Sequence, residues 1–104
     1  MNKFIDKIER EYRDYKAKML QESPEQIWDR CCEIYFYSSF YEYFLYNEAI
    51  SYKVAEQLGS CENIIAGCWH LYLKNEELSI LSWEDIGQII ERYLQTIGGY
   101  ENEN

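Results

Sequence analysis

Apolar residues recur over the first twenty positions at Phe4, Ile8, Tyr12, Tyr15 and Met19, spaced four, four, three and four apart. That period puts them on one side of an α-helix over residues 3–20, with nearly every charge on the other sides. Asp6/Arg10, Glu9/Arg13 and Asp14/Lys18 stand four apart with the acid first, an order that supports an exposed helix by about 0.3 kcal/mol per pair. Their signs alternate, so this face is expected to be a solvated surface rather than a basic binding patch.

A boundary follows at "SPEQ", where Ser23 is the expected N-cap, Pro24 the first helical residue and Gln26 the third-position partner of a capping box. No glycine or proline interrupts the chain from there to Asn47, which predicts one long helix over residues 24–46. Its second half is "YFYSSFYEYFLY", residues 35–46. Tyrosine and phenylalanine also favour strands, but an uninterrupted run of this length exceeds an ordinary strand. On a helical wheel Ile27, Cys31, Ile34, Ser38, Tyr41 and Leu45 form one seam, with Trp28, Cys32, Tyr35 and Ser39 beside it. Phe36, Phe40 and Tyr43 cover another side, and Tyr37, Tyr41 and Phe44 a third. A helix that is apolar nearly all the way round belongs at the centre of its domain.

Shorter helices follow. Ser51 is the expected cap of a third, with Val54, Ala55 and Leu58 inward and Gly59 ending it at positive φ. A fourth starts near Ser60, turns Ile64, Ile65, Cys68, Trp69 and Tyr72 inward and frays at "KNEE". "SWED" opens a fifth through Ser82 and Asp85, with Trp83, Ile86, Ile90, Tyr93, Leu94 and Ile97 on one side and Gly98 and Gly99 as its stop. Residues 98–104 are expected to form a flexible tail. The predicted architecture is all-α: a single domain over residues 1–104, built as a bundle of about five helices around the aromatic one, with an amphipathic N-terminal helix within residues 1–22.

Charge narrows the class of partner. The chain of 104 residues carries 19 acidic and 10 basic side chains, a formal net charge of −9. Residues 1–22 contribute +1 and residues 23–104 contribute −10, so the imbalance belongs almost wholly to the later part. Such a body repels phosphate, which disfavours direct binding of nucleic acid or an anionic membrane and favours a basic protein. "MNKFIDKIER" is charged throughout, and no stretch approaches the ~20 apolar residues of a membrane span, so a cytoplasmic location is expected, with the four cysteines as free thiols.

Candidate chemistry changes the picture little. Cys31 and Cys32 are adjacent and point about 100° apart on a helix, too divergent to share one ion. Cys61 and Cys68 share a face, while His70 points elsewhere, so buried structural thiols are expected and neither a metal nor a cofactor. His70, the single histidine, lies in "GCWHLY", a packing context, and glycine-rich phosphate motifs are absent. An enzyme is therefore not expected.

The runs "SPEQIWDRCCEIYF", "YNEAISYKVAEQL" and "SCENIIAGCWHLY" resemble a family of small proteins of unknown function carried on bacterial mobile elements. Pro24, Asn47, Glu48, Ser51, Ala55, Leu58 and Ser60 carry the likeness, while Cys61 stands where that pattern has a proline and residues 75–104 lie outside it. The resemblance implies no activity, but it implies a setting in which small acidic proteins block host defence enzymes, and the chain is similar in size and charge to anti-CRISPR and anti-restriction inhibitors. The function expected is a non-enzymatic inhibitor or adaptor occupying a basic nucleic-acid-binding surface of a partner, such as a CRISPR effector nuclease. Tyr37, Tyr41, Glu42, Tyr43 and Glu48 are the expected aromatic contact patch, and Glu62, Glu76, Glu77, Glu84, Asp85 and Glu91 the carboxylates standing in for phosphates. The alternative is a homodimeric structural or regulatory domain that self-associates through the aromatic helix.

Overall fold

A computed structural model describes residues 2–46, 50–75, 78–80 and 82–98. Among them are six α-helices: α1 (Asn2–Met19), α2 (Pro24–Asp29), α3 (Cys31–Tyr46), α4 (Tyr52–Gly59), α5 (Ile64–Lys74) and α6 (Trp83–Gly98). Among the described residues there is no strand, and no helix is long and apolar enough to cross a membrane.

The aromatic helix is the hub, as its pattern predicts. Phe36, Tyr37, Phe40 and Phe44 of α3 are buried together with Phe4 and Ile8 of α1, Ala55 and Leu58 of α4, Ile64, Ile65 and Cys68 of α5, and Ile86, Ile89 and Ile90 of α6. Its contact with α1 is a zipper of rings. Phe4 meets Phe44 edge-on at 5.2 Å, Tyr12 stacks on Tyr41 at 4.2 Å, and Tyr15 stacks on Tyr37 at 3.7 Å. Residue numbers rise on one helix as they fall on the other, so α1 and α3 run antiparallel. Aromatic pairs of this kind contribute about 0.5–1.5 kcal/mol each beyond the area they bury.

Several expectations need correction. The long helix over 24–46 breaks at Arg30, whose N–H reaches both the Gln26 and Ile27 carbonyls, at 3.2 and 3.1 Å. No glycine or proline marks the place. The cause is tertiary, since α2 buries no residue while α3 enters the core, and the chain turns where burial begins. Arg30 spans the break with ion pairs to Glu22 at 3.5 Å and Glu33 at 3.4 Å. Cys31 and Cys32, expected inside, lie just past the break and are exposed, whereas Cys68 is buried and Cys61 half-buried. On α1 the predicted pairs four residues apart give way to Lys7–Glu62, a bond of 2.9 Å to the segment ahead of α5.

Both predicted capping boxes form. Ser23 and Gln26 exchange bonds of 3.2 and 2.9 Å, and Ser82 and Asp85 exchange two of 3.2 Å. Ser51 caps α4 through the Val54 N–H. Gly59, however, is the last helical residue and Ser60 the cap, in right-handed conformation, so the positive φ expected at Gly59 is not used there. It falls at Asn63, at +54°, which N-caps α5 three residues later than Ser60 would have. On α6 the buried stripe is Ile86, Ile89, Ile90 and Leu94, while Trp83 and Ile97, predicted inward, are exposed at the two ends. The predicted tail lies mostly outside the described residues.

Candidate functional site

A groove of about 580 Å³ lies where α3, α4 and α6 converge. One wall consists of Tyr43 and Phe44 at the end of α3, with Ile50, Ser51 and Val54 at the start of α4. The other is α6, and its sequence dictates how it faces the groove. At about 100° per residue, Trp83, Ile90 and Leu94 fall on the side toward the core, Glu84, Gln88 and Glu91 on the outer side, and Gly87 between them. The result is an apolar trough with an acidic outer rim. Tyr43 closes in from the opposite wall, so that a Cβ on Gly87 would come within 3.2 Å of its Oη. Trp83 stands edge-on to Tyr43 with ring centres 5.6 Å apart and remains 47% exposed at one end of the trough.

Glu84 and Glu91 are both exposed, and neither forms an ion pair among the described residues. No lysine or arginine lines the groove among the described residues. Its inventory of two carboxylates, a phenol, an indole, an amide and a hydroxyl on an apolar bed suits the capture of a cationic, partly apolar surface.

Of the predicted contact residues, the fold brings Tyr43, Glu84 and Glu91 together here. Tyr37 is a correction: it is 6% exposed, stacked on Tyr15, because its side of α3 faces α1 rather than water. Tyr41 is half-buried against Tyr12, and burial raises its phenol pKa. Glu42 is exposed, as its charge requires, but on the side of α3 away from the groove. Asp85 serves the capping box of α6. Glu62 lies on the α1 side, where its hydrogen bond with Lys7 holds its carboxyl below the usual range. Glu48, Glu76 and Glu77 lie outside the described residues.

Sequence reasoning missed two things. Trp83 and Val54 read as core but help to form the groove; the available signal was Glu84 and Glu91 seven residues apart with Gly87 between them. Glu11 read as one surface charge among many. Its carboxylate instead accepts the Ile65 N–H at 2.9 Å and the Ala66 N–H at 2.8 Å, capping α5 from α1. Asn63 supplies no side-chain cap of its own, so Glu11 meets that need from 54 residues away. Burial raises the Glu11 pKa, with the backbone N–H groups pulling the other way.

A second hollow, of about 300 Å³, brings exposed Cys31, Cys32 and Tyr35 beside Trp69, Tyr72 and Ile80 and is almost without charge. No group of three or more histidine, cysteine or acidic side chains among the described residues is placed to hold a metal ion. No protein-family model, curated protein or solved structure matches the chain.

Proposed function

We propose that the chain is a non-enzymatic, acidic inhibitor or adaptor that occupies a basic nucleic-acid-binding surface of a protein partner, such as a CRISPR effector nuclease, and that the α3–α4–α6 groove is its contact surface. The observation that carries this reading is the pairing of an apolar trough with two solvent-facing carboxylates, Glu84 and Glu91, that no described basic side chain neutralises. The net charge of −9 draws a basic partner in from a distance, and the trough supplies the contact that outlasts encounter. The contact is narrower than the face the sequence suggests, because Glu62 and Asp85 are engaged within the fold.

The test is displacement of labelled DNA from a basic nuclease by the purified chain, read by anisotropy over a salt series. Release at low salt that weakens as salt rises, and that drops about tenfold in the Glu84→Gln/Glu91→Gln variant, supports the proposal. A nuclease that stays on its DNA at every salt concentration refutes it for that partner class. A homodimer is the second reading, favoured by the exposure of two large rings, Trp28 at 78% and Tyr35 at 52%. Light scattering that finds a dimer, lost in Trp28→Ala/Tyr35→Ala, would support that reading.

A further inference from the structure

We infer that the groove receives an amphipathic α-helix of the basic partner, whose apolar stripe lies against Tyr43 and Trp83 and whose lysine or arginine side chains, seven residues apart, meet Glu84 and Glu91. This rests on the reading of the groove as the contact surface and specifies what enters it.

Spacing is the first argument. Glu84 and Glu91 lie within about 20° of each other around α6 and about 10.5 Å apart along it. Basic residues at positions i and i+7 of a helix laid alongside have the same separation and likewise share a face. The floor is the second. Gly87 falls between the two acids and adds no side chain of its own, and Tyr43 reaches across it, its Oη 3.2 Å from where a Cβ there would stand, so an apolar residue midway between the two cations meets the Tyr43 ring. Trp83 stands edge-on beside that ring and extends the apolar bed toward solvent.

The backbone decides between a helix and an extended peptide. Three residues of strand also span about 10 Å, so charge spacing alone admits both. The described walls of the groove come from helices and the Ile50–Ser51 lead into α4, and there is no strand edge among the described residues. An extended segment would lay unpaired N–H and C=O groups over an apolar floor and gain no ladder in return. A helix arrives with those groups already bonded and offers only side chains. Trp83, exposed at the mouth, supplies an aromatic surface for a third cation or a large apolar residue.

The probe is a synthetic helical peptide with lysines at i and i+7 and leucines at i+3 and i+4, titrated by calorimetry against the full chain at low and high salt. One control has the same composition with its lysines five residues apart, and a second keeps the lysine and leucine positions but carries prolines that forbid a helix. We expect the registered peptide to bind about tenfold more tightly than either control, and to weaken about tenfold with Gly87→Leu and with Trp83→Ala. Trp83 is half out of the structure, so its removal tests the groove even if Gly87→Leu disturbs folding, which thermal melts would reveal. Equal binding of all three peptides, or binding unaffected by Trp83→Ala, overturns the inference. The nuclease assay separates this failure from that of the function. Displacement sensitive to Glu84→Gln/Glu91→Gln but indifferent to Trp83→Ala leaves a flat acidic contact standing without an inserted helix. Displacement indifferent to both sets of changes removes the groove from the function altogether.

Discussion

Truncating Glu11 to alanine removes a cap that no neighbouring side chain replaces. The carboxylate accepts two charge-assisted bonds, of 2.9 and 2.8 Å, from the Ile65 and Ala66 N–H groups in the first turn of α5, and Asn63, in left-handed conformation, makes no side-chain cap bond. Loss of an ordinary N-cap costs about 1 kcal/mol, and a half-buried donor left without a partner costs about 1–3 kcal/mol. Against this stands the relief of a carboxylate held in a partly apolar place. The balance for Glu11→Ala is a loss of about 2 kcal/mol at neutral pH, while Glu11→Gln, which keeps one carbonyl acceptor, loses about half that. Urea denaturation measures the difference, and amide exchange locates it, since Ile65 and Ala66 should lose protection. The pH dependence has a definite sign. Burial raises the Glu11 pKa above 4.5, so the folded state holds this proton to higher pH than the unfolded chain does. The stability linked to that proton is fully present below about pH 4.5 and is lost as pH rises through the folded pKa. The stability difference, wild type minus Glu11→Gln, should therefore fall across that window. A carboxyl titration by NMR with its midpoint at or below 4.5, or a Glu11→Ala variant within about 0.5 kcal/mol of wild type, would refute the reasoning.

Other positions give similarly sharp expectations. In Gly67→Ala the new Cβ falls 2.5 Å from Cε1 of Tyr93, so the ring must move; we expect a net loss of about 1 kcal/mol by denaturation despite the better helix propensity of alanine, recovered when Tyr93 is also shortened to leucine. Tyr15→Phe removes a buried hydroxyl without a hydrogen-bond partner and keeps the stack on Tyr37, so thermal melts should show equal stability or a gain of up to about 1 kcal/mol. Tyr12→Phe, which breaks the 3.2 Å bond to Ser38, should instead lose about 1 kcal/mol. Thiol labelling of the native chain should modify Cys31 and Cys32 at once and Cys68 only on unfolding, because Cys68 is buried and burial pushes its thiol pKa up.

Periodicity and capping chemistry made most of the fold legible. The stripe Phe4–Ile8–Tyr12–Tyr15–Met19, the boxes at Ser23 and Ser82 and the cap at Ser51 are local signals, and each lies where the pattern puts it. What the pattern could not supply was long-range. The break at Arg30 follows from where the core begins, the exposure of Cys31 and Cys32 follows from that break, and the start of α5 at Ile64 depends on a carboxylate from α1. Tyr37 shows the same limit at the site. Its ring and hydroxyl suit either a surface or a core, and only the partner ring of Tyr15 decides the matter. Glu84 and Glu91 were visible as charges, but that they rim a trough depends on Tyr43 and Val54 arriving from two other helices.

The turn at Arg30 also sets a hierarchy of local opening. α2 buries no side chain, and Arg30, its link to what precedes and follows, is held by ion pairs in contact with water that are worth well under about 1 kcal/mol each. The segment from Pro24 to Asp29 can therefore swing out as a flap while the rings of α1 and α3 stay interlocked. Its amides should exchange by a subglobal route, far below the free energy of whole-chain unfolding.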